Sequence, residues 1–536
     1  LRYSKLFTVV VIFALLTACS GGGQQTFTGP TDQELDNLNE SGMPIVNEEI
    51  TLNFFAGQAP ATNPDWNDVL IFNEYEERSN INIEWRMVPS DSIAEQRNLA
   101  FGSGSLPDAF HSSGIGLSDI SKYGEQGVLI PLNDLIDEYA PNFKKILDDY
   151  PVIKDAITMP DGNIYSFPLI SDPDFASHRI QARPFINKVW LDELGMEMPE
   201  TTEEFYQYLT AVKSDLGEIP FGGPYINTLT QYLLGSFGLA NRGGSNSYID
   251  EDPETGEVRF YPVSEEYKEM LEYVHKLYDE RLIEQNIFSI DHYQFMTNLG
   301  EGMYGSVVWF APEEVASKEK GKNYVGMPTL EGPDGDKLLT KVGDPVLNAG
   351  AFVITNANEH PASTVRWIDY FYGQEGMKLF FMGVEGKTFE KAEDGSLKFM
   401  DHIINSKEGL PFEEEAKKYL TFPGGGFPSM VNKDFFQGVA NAPQSLEASE
   451  KLEPDMIPDD QIWPTLTHTK DEIDQLQGFG TDIEKYVGEM RDKFISGDEP
   501  LSEWDSYVTE IEKMGLEEYI KIKSAALERK VGGDDE

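Results

Sequence analysis

From Ile50 onward the chain switches between short runs with a two-residue period and longer runs with a helical period. Ile50-Thr51-Leu52-Asn53-Phe54-Phe55 predicts a strand. Asp68 to Arg78 places Val69, Leu70, Phe72 and Tyr75 at helical spacing. Ile81 to Val88 alternates again, Ser92 to Phe101 predicts a second helix stopped by Gly102-Ser103-Gly104, and Pro107 to Phe110 a short strand. Strand and helix in alternation imply an α/β fold with a parallel sheet covered by helices. No GxGxxG follows the first strand, which gives a dinucleotide site little support.

The pattern restarts further on. Leu132 to Tyr139 predicts a helix, and Asp161-Gly162-Asn163 a tight turn into Ile164 to Pro168. Arg183 to Asn187 predicts a strand and Lys188 to Leu194 a helix stopped by Gly195; Thr201 with Glu204 forms a capping box for a helix through Val212. Ser264 caps an amphipathic helix carrying Tyr267, Met270, Leu271, Val274 and Leu277 on its apolar side. Tyr304 to Phe310, Tyr324 to Met327 and Ala351 to Ile354 predict strands, Pro361 opens a helix, and the chain is mostly helical from Phe412. Two α/β blocks, with the first resumed near Ala351, imply two lobes and a ligand cleft between them. The expected division is 49–167 with 346–395 for one lobe and 168–345 with 396–536 for the other.

The start differs from all of this. Arg2 and Lys5 precede Leu6 to Leu16, which is apolar apart from Thr8, and small residues follow. That order is a secretory signal, expected over residues 1–18, and it is too short for a bilayer of roughly 30 Å. Leu16-Thr17-Ala18-Cys19 resembles the lipobox of bacterial lipoproteins. The resemblance implies cleavage after Ala18, a lipid on Cys19, and a body held at the outer face of a bacterial cell membrane. Residues 19–48 read as a flexible tether.

Composition narrows the function classes. The 536 residues carry 93 Asp and Glu against 42 Lys and Arg, a net charge of −51. A surface this acidic repels nucleic acid and anionic lipid, so the membrane is reached only through Cys19. At 40% apolar residues, a large core is available and wholesale disorder is excluded. One cysteine excludes an intrachain disulfide and multi-cysteine metal centres.

Several pieces of the chain together resemble the extracellular solute-binding proteins of bacterial ABC importers, in the large lipoprotein branch that captures oligosaccharides. They are Gly104-Ser105-Leu106-Pro107-Asp108-Ala109-Phe110, Asp161 to Pro168, Asn187 to Gly195 with Pro199 to Phe205, Gly302-Met303-Tyr304-Gly305, Phe352 to Ala357, Gly383-Val384-Glu385-Gly386 and Trp504-Asp505-Ser506-Tyr507. The resemblance implies a two-lobed periplasmic-binding-protein-like fold, a monomer that closes on a sugar, delivery to membrane permease subunits, and no catalysis. It departs at Asn187, where many relatives carry a basic residue. Some relatives hold a structural calcium; Asp161-Gly162-Asn163, Asp334-Gly335-Asp336 and Asp250 to Gly256 lack the ordered ligand run of an EF-hand and read as turns. No other cofactor is expected.

Sugars present apolar ring faces and a rim of hydroxyls, so their sites need aromatic platforms and matched polar groups. Trp309, after a strand opened by small residues, is a candidate platform; so are Tyr165 and Phe167 at the expected crossover, Trp66 after the first strand, and Tyr225 in a glycine-rich loop. Each has core packing as its alternative. Asp108 and His111, at the ends of a short strand, are candidate polar contacts, with capping or burial as the alternative. Glu385 matches a family position that resembles a ligand contact. Arg183 suits a uronate carboxylate, or a structural ion pair. The competing function classes are a non-transporting surface sugar sensor or adhesin, and a secreted glycoside hydrolase or lyase. The enzyme requires two carboxylates about 5–9 Å apart, which an abundance of Asp and Glu does not supply by itself.

Overall fold

A computed structural model describes residues 27–531, apart from 60, 181, 316–319, 394, 411 and 424. The expected leader, Cys19 and the first part of the tether lie outside the described residues. Two sheets organise the chain into two α/β lobes.

The first lobe holds six strands in the spatial order Ser429–Val431, Ser166–Ser171, Val346–Ile354, Ala109–His111, Ile50–Gln58, Ile81–Pro89. The three early strands run parallel, as the alternation of strand and helix requires. Val346–Ile354 enters antiparallel to both its neighbours and makes the sheet mixed. Pleating sends Leu52, Phe54 and Ala56 to the main core, while Phe55 goes to a smaller core with Phe110 and Val353 on the opposite face. Phe54 sits among Trp85, Phe352 and Trp367 with ring centroids 5.3–5.5 Å apart.

The second lobe holds four strands, ordered Tyr324–Gly326, Arg183–Asn187, Tyr304–Trp309, Ile219–Gly222. The Thr201–Glu204 capping box forms and opens the helix Thr202–Ala211. That helix loosens into a five-residue π turn, Val212–Leu216, before Gly217 stops it at φ 73°. The amphipathic helix Glu265–Asp279 packs on Thr481–Ser496, burying Met270, Leu271, Val274, Ile483 and Val487 in one core.

Three segments cross between the lobes, after Ser171, before Val346 and after Val431, and they are sewn together. Ser177 Oγ donates to Ala440 O at 2.6 Å, Gly343 N to Arg179 O at 2.9 Å, and Ser171 N to Pro345 O at 2.7 Å.

The lobes divide differently from the sequence expectation. Ser166–Ser171 belongs wholly to the first sheet, so the first crossing falls later than 167. Residues 396–440 also return to the first lobe: Phe399, Ile403, Leu420, Phe427 and Met430 join its core and Ser429–Val431 its sheet. The expected tether folds from Thr31 onward. Thr31 caps the helix Asp32–Asn37, Ile45 and Val46 are fully buried, and Ser363 N donates to the Glu34 carboxylate at 2.8 Å. Arg366 holds the same segment through the carbonyls of Asn39 and Gly42.

The C-terminal helix Leu516–Val531 ends against the first lobe, where Lys530 Nζ donates to Thr158 O at 3.0 Å and to Asp155 O. This caps the carbonyl end of the helix Pro151–Ile157 with a cation. Among the described residues no helix is long and apolar enough to cross a membrane.

Candidate functional site

Strand direction fixes which loops face the cleft. In the second lobe these are the loop after Gly222, the residues after Trp309, and the chain entering at Arg183. They enclose a cavity of about 290 Å³ whose floor is the crossings themselves, Arg179 with Val342, Gly343 and Asp344. Tyr225 and Phe310 stand on its walls, 55% and 38% exposed. A smaller cavity of about 110 Å³ adjoins it and shares Gln231, Gly244 and Lys341; Arg491 lines its far side. A third, of about 270 Å³, lies between first-lobe residues Ile115, Leu117 and Asn348 and second-lobe Thr465. Asp344 sits between these spaces, accepting from Val346 N at 2.7 Å and from Thr465 Oγ1 at 2.8 Å.

The floor is tightly built. Arg179 is 1% exposed; it pairs with Asp459 at 2.7 Å and donates to Gly343 O and Pro173 O. Its Nη2 is buried with no hydrogen-bond partner. Gly343 lies so close that a Cβ there would stand 3.2 Å from Arg179 O. Lys341 opens onto both cavities, and crowding by the walls lowers its pKa.

Of the sequence candidates, the structure brings Tyr225 to this cavity. Trp309 ends its strand half-buried on the other face, against Phe295 and His292 at 5.0 and 6.0 Å. Its neighbours Val308 and Phe310 take the cavity face, because side chains alternate along a strand. Arg183 is 1% exposed and fully engaged: Nε donates to Ser449 Oγ at 2.7 Å, Nη1 to Phe310 O at 3.0 Å, and Nη2 to Ser177 O and Oγ. Burial lowers its pKa to about 10. It is a structural staple, with no fork left for a uronate.

Trp66 and His111 meet at the cleft end of the first sheet, ring centroids 5.2 Å apart, but as core. Trp66 donates from Nε1 to Thr62 Oγ1 and is 3% exposed. His111, 2% exposed between Trp66 and Trp85, has its pKa pushed down to about 3 by burial. Asp108 lies at the opposite end of that strand, where its Oδ2 accepts from Asn53 N at 2.7 Å. Tyr165 is buried with its hydroxyl on Asp161 Oδ2 at 2.7 Å, and Phe167 packs on Phe143 in the core. Neither borders the cleft, because the strand they begin enters from the far edge. Glu385 is exposed on a first-lobe turn that lines none of these cavities.

Sequence reasoning missed Arg179, Gln231, Phe310, Lys341 and Asp344. Phe310 was within reach, since reversing the parity of the strand that ends at Trp309 selects it. Among the described residues no group of three or more His, Cys, Asp or Glu gathers as a metal site. In the acidic hairpin, Asp250 pairs with Arg259, Glu251 with Arg242, and Asp252 accepts from the amides of Glu254 and Thr255. The Asp250 and Glu251 carboxylates are thus held by arginines.

Two lobes, three crossings and a cleft at the strand ends define a solute-binding protein. The chain belongs to the bacterial extracellular solute-binding protein family, whose model matches residues 63–378. It is accordingly a binding protein rather than an enzyme. It is 30% identical over 535 residues, 95% of either chain, to the fructooligosaccharide ABC transporter substrate-binding protein FusA of Streptococcus pneumoniae serotype 4. The solved structure of FusA in complex with kestose covers 90% of this chain and 100% of its own, with a TM-score of 0.71 at 28% identity. The polygalacturonan/rhamnogalacturonan-binding protein YtcQ of Bacillus subtilis is 24% identical over 414 residues, 73% of this chain and 75% of YtcQ.

Proposed function

We propose that this protein is a lipid-anchored, monomeric receptor that captures a fructo-oligosaccharide outside the cell and hands it to the permease subunits of an ABC importer. The observation that carries the reading is the likeness to FusA along nearly the whole of both chains, cavity-bearing lobe included. The cleft supports it: Tyr225 and Phe310 offer apolar faces, and the polar groups between them suit hydroxyls. Lobe closure buries the ligand and creates the surface that a permease reads.

Calorimetry against a glycan panel tests the reading. Kestose and nystose should bind and saturate, and incubation should leave both uncleaved. Saturation only by fragments of polygalacturonan or rhamnogalacturonan, the polymers in YtcQ's name, would replace fructan with uronide.

A further inference from the structure

The lobes also meet away from their crossings. There the second lobe extends an arm built from two segments far apart in sequence, residues 465–475 and the end of the helix Leu516–Val531. Arg529 clips the two together: Nη1 donates to Glu472 Oε1 at 2.9 Å, and Nη2 to Glu472 Oε2 at 2.6 Å and Thr467 O at 3.3 Å. A two-pronged pair of this kind fixes geometry as well as adding energy. The root of the arm is pinned where Thr465 Oγ1 donates to Asp344, beside a crossing. Its helix Lys470–Gln475 lies against the first-lobe helix Leu117–Glu125. Its tip is Lys530, whose ammonium reaches over to the first lobe and donates to the carbonyls of Asp155 and Thr158.

The seam beneath the tip is hollow. A cavity of about 570 Å³ lies between Pro151, Met159 and Gly162 of the first lobe and Thr467 and Arg529 of the second. The apolar cores stay on their own sides of it: Ile153 and Ile157 belong to the first, Leu466 and Ala526 to the second. A packed apolar interface resists parting in proportion to the area it buries. Here the tip is held instead by one ammonium. The carbonyls it takes close the helix Pro151–Ile157, where the last turn lacks intrahelical donors and the dipole favours a cation. Such a contact fixes the spacing of its two sides and lets go without disturbing either core.

We propose that this arm is a releasable strap, with Lys530 as its catch, which holds the two lobes at the separation described above independently of any ligand. Lobes that share so open a seam move relative to each other by default, unless a contact restrains them. The strap supplies that restraint from a residue that no ligand in the cleft has to touch. It thereby sets how often the lobes part before a ligand arrives, and so the fraction of molecules a ligand meets in each arrangement. The strap depends on the two-lobed fold alone, so it stands or falls apart from the fructan reading.

Pulsed electron paramagnetic resonance on the full chain, with no sugar added, tests the strap. Spin labels are attached through Glu77→Cys in the first-lobe helix Leu70–Ser79 and Glu272→Cys in the second-lobe helix Glu265–Asp279, both exposed sites. Cys19→Ser removes the one native thiol. Lys530→Met keeps the stem and loses the ammonium. It should move molecules out of the parent distance peak, lowering the ratio of strapped to parted molecules about 10- to 100-fold. Arg529→Ala, which unclips the tip and leaves Lys530 in place, should shift the distribution the same way. Lys521→Met, on the same helix but paired with Glu518 in its own turn, should leave it unchanged. Lys530 lies in the last turn of that helix, so Lys530→Met should melt at the parent temperature with both cores intact. The parent distribution in Lys530→Met or in Arg529→Ala overturns the strap. An equal shift in Lys521→Met also overturns it, because the effect would then follow the charge of the helix rather than the catch.

Discussion

Arg179 and Arg183 stand four residues apart, one ending a short helix and the other opening a strand, and they are held differently. Every nitrogen of Arg183 is bonded inside the protein, while Arg179 keeps one that is not. Sequence alone offered Arg183, because it opens a visible strand; Arg179 lies in a four-residue helix with no periodic signal. Trp309 makes the same point through parity: size and position recommend it, but pleating assigns the cavity to Phe310. His111 carries a prediction. Its pKa is near 3 in the folded chain against an ordinary 6.5, so the native state keeps the imidazole neutral where the unfolded chain protonates. That stability is fully present above pH 6.5 and is lost as pH falls toward 3. Urea midpoints measured from pH 7 to pH 4 should therefore decline, and His111→Leu should make the decline shallower by about 1.4 kcal/mol per pH unit. An unchanged slope would show that burial does not hold this ring neutral.

At the scale of elements, the parts written in local code were legible. The alternation in Ile81–Pro89 and the Thr201–Glu204 box need only their own residues, and both form as read. What the sequence could not show depends on distant partners. Ser429–Val431 has three residues, too few for a period, and is a strand only because Ser166–Ser171 lies beside it. That is why residues 396–440 read as part of the second lobe. The helix Asp32–Asn37 is another such case, since its docking rests on Ser363 and Arg366, more than 320 residues away. Burial of Glu34 raises its pKa from 4.5 to about 7, despite the amide of Ser363. A carboxyl raised in this way favours the folded state fully below pH 4.5, and the advantage is lost as pH rises through 7. The span is on the order of 3 kcal/mol. Hydrogen exchange over residues 31–46 should accelerate between pH 5 and pH 8 beyond the intrinsic rate, and Glu34→Gln should remove that excess. Equal excess in both chains would detach the effect from this carboxyl.

Across the whole molecule, charge and anchor belong together. A net charge of −51 leaves the body no electrostatic hold on an anionic bilayer, so the attachment proposed above would need another route. On the proposed reading the lipobox-like Leu16-Thr17-Ala18-Cys19 supplies one. In a bacterial host, the wild-type chain should fractionate with membranes and carry diacylglycerol by mass spectrometry. Cys19→Ser should be recovered without lipid, and membrane-bound Cys19→Ser would reject the anchor. Residues from Thr31 onward belong to the folded body, so the segment 19–48 read as a tether loses its second half to the fold.

The number of crossings then decides which half of the machine is moored. Three is odd, so the described residues start in the six-stranded lobe and finish in the four-stranded one. With lipid at Cys19, the mooring falls on the six-stranded lobe, and the lobe bearing Tyr225, Gln231 and Lys341 is the free one. Under that proposed anchor, capture would be a swing of the loaded half toward the moored one. A permease would then meet the moored lobe within reach of its tether and the loaded lobe only on closure.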